Sequence, residues 1–442
     1  MNLLMDIKLT TKNYSLMNNV LLISAKITSS VIDGKNLDKL FIENFKDPQS
    51  NLTENKKSQI KAITFDTLRY FKTLSFFLDS LIKKEIQNKL IKYLIIVAMN
   101  QLTYGNKKIY ALVDEVVNLS KEVDARHSGF VNAVLRNFLR NKEELRKKAN
   151  EKLESKYNFP LWWIKKIKDF YPNHWEEIIY SQNSHPPMTL RINKKKISCE
   201  KYKESLIEAN IDFKELSDVA ILIKTPKKVD DIIGFNDGCV TVQDLGAQLV
   251  ANILDLKDGH HVLDACAAPG GKTGHILEMV NVNLTALEID SLRVIRVNEN
   301  LDRLGLKAKV INDALSMKNN WWDQKQFDRI LLDVPCSGSG VVRRNIDIKW
   351  LRRSDDFYKF QKEQLTLLDH AWPLLKKNGK LLYVTCSIFE EENSQVISLF
   401  MKKHSNAKIL NIEFPENIKR FGKQIVPNEN HDGFYYELLE KI

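Results

Sequence analysis

From Thr11 to Lys148 the apolar residues recur at intervals of three and four, as in Val20, Leu21, Ile23, Ala25 and Ile27, and again in Val131, Val134, Leu135, Phe138 and Leu139. That period matches the turn of an α-helix with one face in a core, so the stretch predicts an all-helical bundle. Polar breaks at Asp33–Asn36, Lys46–Lys57 and Tyr104–Lys108 supply its turns. The last predicted helix, from about Ser128, brings Arg136, Arg140 and Lys142 near one another. Residues 149–183, with Trp162, Trp163, Tyr171 and Trp175, read as short helices leading out of the bundle, and Pro186 and Pro187 precede an extended segment, Met188–Asn193.

After Gly238 the pattern becomes strand, turn, helix, repeated. Apolar runs at His261–Ala265, Leu284–Ile289, Lys309–Ile311, Ile330–Val334 and Lys380–Thr385 alternate with helical patterns at Thr273–Val280, Leu292–Leu304 and Phe357–Leu375. Such alternation predicts an α/β fold, a mostly parallel sheet with helices on both faces. Ala407–Phe414 and Phe434–Leu439 supply the closing strands. The expected organisation is an all-helical domain at 1–150, a linker with a small α/β subdomain at 151–240, and the parallel-sheet domain at 241–442. At 442 residues, the chain is long enough for these separate cores.

Composition adds where charge sits. Lys and Arg outnumber Asp and Glu by 25 to 15 in residues 1–150, are near balance at 15 to 14 in 151–240, and stand at 27 to 27 in 241–442. A basic module beside a neutral one suits polyanion binding next to a catalytic domain; a Lys-rich chain whose lysines only solvate helix faces would look the same. No apolar run is long enough for a membrane helix, and the N-terminus lacks a secretory pattern, so a cytoplasmic protein with no membrane partner is expected. The five cysteines, Cys199, Cys239, Cys266, Cys336 and Cys386, form neither a disulfide framework nor a CxxC zinc pair, so no metal is expected.

The first parallel strand runs into Cys266, Ala267, Ala268, Pro269, Gly270, Gly271 and Lys272, a small-residue turn before a helix, which aims backbone N–H groups at a ligand over the strand ends. It has neither the GxGxxG spacing of a dinucleotide site nor the P-loop spacing, so NAD and ATP fit poorly. Acids stand at successive strand ends: Glu288 with Asp290 two residues on, then Asp313, then Asp333. In an open parallel sheet these ends border the ligand crevice, and an acid about 20 residues past the glycine turn is placed for ribose hydroxyls, by Glu288 or by Asp290. Cys336 and Cys386 lie just past two further strand ends, on that same side. Cys199 and Cys239 read as structural filler, and Cys266 as a small packed residue of the turn.

These residues resemble the NOL1/NOP2/Sun family of S-adenosylmethionine-dependent RNA 5-methylcytosine methyltransferases. The likeness is carried by Cys266–Lys272, by Asp333-Val334-Pro335-Cys336-Ser337-Gly338, and by Thr385-Cys386-Ser387 followed by Glu391-Glu392-Asn393. Gly340–Arg344 and Asp347–Trp350 resemble its bacterial small-subunit ribosomal RNA members, and Val131–Arg136 resembles a NusB-like RNA-binding domain. The resemblance implies a Rossmann-like class I methyltransferase domain behind an all-α NusB-like domain. It also implies S-adenosylmethionine as cofactor, held by Cys266–Lys272, Glu288, Asp313 and Asp333, and a cytosine of small-subunit (16S) ribosomal RNA as substrate. Carbon 5 of cytosine is a poor nucleophile until a thiolate adds to carbon 6; the resemblance gives that attack to Cys386, help in release to Cys336, and contact with the base to Asp333. Lys272 then either tunes a thiol or anchors Asp333. Arg136, Arg140, Arg343, Arg344, Lys349 and Trp350 are the expected RNA contacts, and a monomer is expected. Two other readings fit less well: a DNA-type arrangement with the Pro335-Cys336 thiol attacking would leave Cys386 idle, and intact Cys336, Cys386 and Gly270-Gly271-Lys272 argue against an RNA-binding assembly factor with a degenerate methyltransferase domain.

Overall fold

The computed structural model describes residues 19–46 and 52–442; residues 11–18 of the expected bundle and part of the Lys46–Lys57 break fall outside them. The chain divides into two compact units, one running up to Asn183 and taking in Asn345–Arg352, the other made of Ser184–Arg344 and Arg353–Ile442.

The first unit is helical: α1 (Val20–Ile32), α2 (Leu37–Lys46), α3 (Glu54–Arg69), α4 (Phe71–Leu81), α5 (Lys89–Tyr104), α6 (Ile109–Val123), α7 (Ser128–Asn150), α8 (Leu153–Tyr157), α9 (Leu161–Phe170) and α10 (Trp175–Asn183). Asn19 starts α1 by accepting the Leu21 and Leu22 N–H groups at 2.9 and 3.2 Å, satisfying donors that have no partner within the helix. Helix α5 is apolar all round, with Tyr93 to Met99 all buried, and forms the bundle's centre. On α7 only Val131, Val134, Leu135, Phe138, Leu145 and Ala149 turn inward, which leaves Arg136 and Arg140 exposed one turn apart.

The second unit holds two sheets. The smaller, in the order β2 (Phe213–Glu215), β3 (Ala220–Ile223), β1 (Met188–Ile192), β4 (Val240–Val242), is antiparallel and carries α11 (Cys199–Glu208). The larger joins β5 (His261–Asp264), β6 (Asn283–Glu288), β7 (Lys309–Asn312), β8 (Phe327–Asp333) and β9 (Leu375–Thr385) in parallel, in the order β7-β6-β5-β8-β9, with β13 (Phe434–Lys441) antiparallel at β9. The short strands β10 (Ala407–Ile409), β11 (Arg420–Phe421) and β12 (Gln424–Ile425) complete it. Alternate residues of the central strands feed two cores. Val262, Ala286, Leu331 and Val384 pack with Ile276 and Val297 from α12 (Gly271–Met279) and α13 (Ser291–Leu304). Leu263, Leu287, Leu332 and Tyr383 pack with Leu368 and Phe400 from α14 (Asp356–Ala371) and α15 (Ser394–Lys403). Burial on both faces explains why these strands read as continuous apolar runs. The order reverses between β5 and β8, which opens a crevice at their carboxyl ends.

The helix expected to Leu375 stops at Ala371, because Pro373 tightens the next turn into a 3-10 turn and β9 begins at Leu375 rather than Lys380. Of Ala407–Phe414 only Ala407–Ile409 is strand. Among the described residues no helix is long and apolar enough to cross a membrane, and no cluster of three metal-ligating side chains occurs.

Candidate active site

A cleft of about 940 Å³ opens at the carboxyl ends of the parallel strands, lined among others by Cys266, Ala268, Glu288, Asp313, Asp333, Cys336 and Cys386. The fold thus gathers along one cavity residues that lie up to 120 positions apart in sequence.

Its floor is the turn between β5 and α12. Asp264, at the end of β5, is buried and accepts the Thr273 hydroxyl at 2.7 Å, and burial pushes its carboxyl up to about 6. The turn closes through Gly270 N–H to the Ala267 carbonyl at 2.7 Å, and Ala267 N–H reaches Leu287 in β6 at 2.8 Å. Gly270 has φ +94°, and a Cβ there would also stand 3.3 Å from the Val297 Cα, so a side chain meets strain and crowding together. Pro269 accepts from Asn300 at 2.7 Å and Gly271 from Arg191 at 2.7 Å, so Ala267, Pro269, Gly270 and Gly271 shape the turn from beneath while Cys266 and Ala268 face the cleft. Burial first, then the surrounding carboxylates, push the Cys266 thiol up, which keeps it protonated.

Glu288 is almost fully buried and accepts Ala268 N–H at 3.2 Å and Asp290 N–H at 3.1 Å, so its carboxylate is fixed against the turn. Asp290 spends its own carboxylate on the Leu292 and Arg293 N–H groups as the cap of α13, and it does not line the cleft. Asp313 follows β7 and accepts Ala314 N–H at 2.7 Å and the Asn320 amide at 3.2 Å. Lys272 extends from α12 to Asp333 at 2.5 Å. Burial draws the lysine down, but the Asp333 carboxylate outweighs it and the net shift is upward, so Lys272 stays charged.

The two cysteine-bearing loops face each other, with Cys336 Sγ and Cys386 Sγ 3.2 Å apart and both thiols free. The thiol–thiol hydrogen bond, and then burial, push Cys336 well above its ordinary value. One carboxylate ties the loops together: buried Glu392 accepts Ser337 N–H at 2.7 Å, the Ser387 hydroxyl at 2.6 Å and the Gln364 amide at 3.2 Å. Asn393 beside it donates to the Ser387 carbonyl at 3.0 Å and accepts from the Thr385 hydroxyl. Glu391-Glu392-Asn393 stands out in the sequence as a motif, but this task of Glu392 exists only through the folded proximity of residues 337, 387 and 364.

Four of the expected RNA contacts are engaged within the protein. Arg343 is buried and donates to Asp432 and to the Asn428 carbonyl, and Arg344 donates to Asp432, to Asp244 at 2.9 Å and to the Pro187 carbonyl at 3.1 Å. Their guanidinium groups pair with the buried carboxylates of Asp432 and Asp244. Lys349 is fully buried in the helical unit, where its ammonium meets Asn183 Oδ1 at 2.9 Å and the Arg69 carbonyl at 3.1 Å and lies over the Phe159 ring. Trp350 donates its indole N–H to the Leu68 carbonyl at 3.1 Å and sits edge-on to Phe71. What reads as a solvated basic loop is a packed insertion.

An open parallel sheet with a glycine-turn floor and strand-end acids around a switch-point cleft defines a Rossmann-like methyltransferase that uses S-adenosylmethionine. The residues fit that cofactor: carboxylates for ribose and amino groups on two adjacent strands, an apolar wall of Leu315, Val334 and Pro335, and backbone N–H groups of the turn. Residues 251–440 match the model of the 16S rRNA methyltransferase RsmB/F family, 159–230 the ferredoxin-like domain of RsmF/B-like methyltransferases, and 19–140 the NusB family. Ribosomal RNA small subunit methyltransferase B of Photorhabdus laumondii is 39% identical over 433 residues, covering 96% of this chain and 99% of its own. The probable enzyme of that name in Coxiella burnetii is 38% identical over 88% of this chain and 94% of its own. Among solved structures, PH0851 superposes with a TM-score of 0.75 at 25% identity, covering 96% of this chain and 99% of that one. NSun6 from Pyrococcus horikoshii shares the fold at a TM-score of 0.57, over 64% of this chain and 98% of its own. The chain belongs to the 16S rRNA methyltransferase RsmB/F family, and it transfers methyl groups to ribosomal RNA.

Proposed function

We propose that the acceptor is carbon 5 of a cytosine in 16S ribosomal RNA, reached through a covalent adduct with Cys386. The observation that carries this reading is the pair of free thiols 3.2 Å apart in one cleft with Asp333, because a pyrimidine C5 transfer needs one thiol to add and a second group to manage its departure. Cys386 loses its proton and bonds carbon 6, which makes carbon 5 nucleophilic. Bound S-adenosylmethionine supplies an electrophilic methyl on a sulfonium. The carbon 5 proton then leaves to solvent, the C5=C6 bond returns and the C–S bond breaks. Cys336, held protonated, donates its S–H to the departing Cys386 sulfur and then takes a proton back from solvent, so that one proton is released per methyl transferred. Asp333, steadied by Lys272, accepts from the cytosine amino group. Glu288 rather than Asp290 takes the ribose hydroxyls, since Asp290 is already engaged as a helix cap, and Asp313 takes the adenine side. Arg136 and Arg140, exposed on α7, contribute to RNA binding by the helical domain.

The test separates the thiols. Cys386→Ala abolishes both the adduct and methylated product, whereas Cys336→Ala accumulates a denaturant-resistant protein–RNA adduct in the presence of S-adenosylmethionine. A gel under denaturing conditions with 16S rRNA distinguishes them. The reverse result assigns attack to Cys336, and loss of neither activity removes the pyrimidine carbon from consideration. Bisulfite sequencing of 16S rRNA with and without the protein checks the product.

A further inference from the structure

With Arg343, Arg344, Lys349 and Trp350 engaged inside the protein, the wall of the cleft contributed by α14 takes on a new meaning. Tyr358, Lys362, Thr366 and His370 stand at steps of four along this helix and all line the cavity that holds Cys336 and Cys386. Steps of four keep side chains on one face, so this is a continuous stripe. Tyr358 is 72% exposed, and Lys362, one turn along, is also exposed.

The opposite face of α14 is pinned to the catalytic loops. Phe357 is buried edge-on against Phe389 at 5.0 Å, and buried Gln364 donates to the Pro335 carbonyl at 2.9 Å as well as to Glu392. The stripe is therefore held in fixed register with the residue next to Cys336. An aromatic ring left in water at the rim of a base-binding cleft, on a helix braced against the reacting loop, has the form of a stacking platform.

We propose that Tyr358 stacks the nucleotide that flanks the target base in single-stranded RNA, and that Lys362 takes the adjoining phosphate. This rests on the reading that the target base enters the cleft beside Cys386 and Cys336. A base drawn into that cleft loses its stacking neighbours, and its flanking nucleotide loses one too; the Tyr358 ring replaces that face without reading sequence.

The experiment uses the full chain and 16S rRNA from cells that lack the enzyme, measuring methyl transfer, the KM for RNA and for S-adenosylmethionine separately, thermal stability, and the modified nucleoside after digestion. Tyr358→Ala raises the KM for RNA about tenfold or more while leaving the KM for S-adenosylmethionine and the melting temperature unchanged. Tyr358→Phe retains the wild-type KM, because the ring and not the hydroxyl does the stacking. Lys362→Ala lowers the slope of log affinity against log salt by about 0.7. An unchanged KM for RNA in Tyr358→Ala, or an equal rise in Tyr358→Phe, overturns the platform. The nucleoside keeps the two readings apart: 5-methylcytosine made with wild-type KM by Tyr358→Ala sinks the platform alone, and a different methylated base whose formation still depends on the Tyr358 ring sinks the cytosine chemistry alone.

Discussion

Burial raises the Asp264 carboxyl to about 6 against an ordinary value near 4, so in mildly acidic solution the folded chain holds a proton there that the unfolded chain releases. Between roughly pH 4 and pH 6 the native state binds more protons than the unfolded state, so this residue's contribution to stability falls as pH rises through that window and then levels off. Asp264→Asn keeps an acceptor for Thr273 and flattens that part of the profile; melting temperatures at pH 4.5 and 7.5 that keep the wild-type difference would show that the proton resides elsewhere. Burial raises the Glu392 carboxyl too, but there the hydrogen-bond partners matter more. Glu392→Ala removes the acceptor of the Ser337 N–H and one partner each of the Ser387 hydroxyl and the Gln364 amide, which keep Ser339 and the Pro335 carbonyl, and costs about 2 kcal/mol, within the 1 to 3 kcal/mol of one orphaned group. Thermal denaturation checks it. The thiols, the turn and the strand-end acids were legible in the sequence because each follows an apolar run whose end is easy to find. Arg343 and Arg344 misled because their partner, Asp432, lies 89 and 88 residues away, and no local pattern tells a paired guanidinium from one waiting for phosphate.

At the scale of elements, two contacts hold the cleft's framework. Gly340 N–H donates to the Cys386 carbonyl at 2.8 Å, and a Cβ on Gly340 would stand 2.2 Å from the Gly433 carbonyl oxygen and 2.9 Å from that of Cys386. These are backbone atoms that cannot swing aside, so Gly340→Ala forces the loop off β9 and β13. At least a hundredfold loss of kcat is expected, on the order of that for misplacing a reacting group by an ångström. An active Gly340→Ala enzyme would mean that the loop yields without moving Cys386. On the other side, Arg191 of β1 grips α12 by two hydrogen bonds to Glu278, at 2.8 and 2.7 Å, and one to the Gly271 carbonyl. Arg191→Met leaves Glu278 charged and buried, a loss of about 3 to 5 kcal/mol, and calorimetry should find weaker S-adenosylmethionine binding because the turn sits on that helix. The parallel strands were readable from their unbroken apolar runs. The last ones were not, since β11 and β12 are only two residues long and exist by pairing with each other and with β13.

For the whole molecule, the charge asymmetry is the feature that sequence exposes best and explains least. The excess of cations in residues 1–150 is evident from counting, but which of them meet RNA depends on faces that appear only once the bundle packs. Arg136 and Arg140 are outward on α7. If both meet phosphates, replacing them together with alanine lowers the slope of log affinity against log salt by about 1.4, at 0.7 per single-strand phosphate contact. An unaltered slope returns them to the class of solvating charges. The helical unit also shows that a unit and a stretch of chain are different things: it needs Lys349 against Asn183 and Trp350 against Leu68, and those residues arrive far later than Asn183 itself. During synthesis at about 5 to 20 residues per second, roughly 10 to 30 s separate the emergence of Asn183 from that of Arg352. Throughout that interval the nascent bundle lacks Lys349 and Trp350, the side chains that donate to the Arg69 and Leu68 carbonyls in the finished unit.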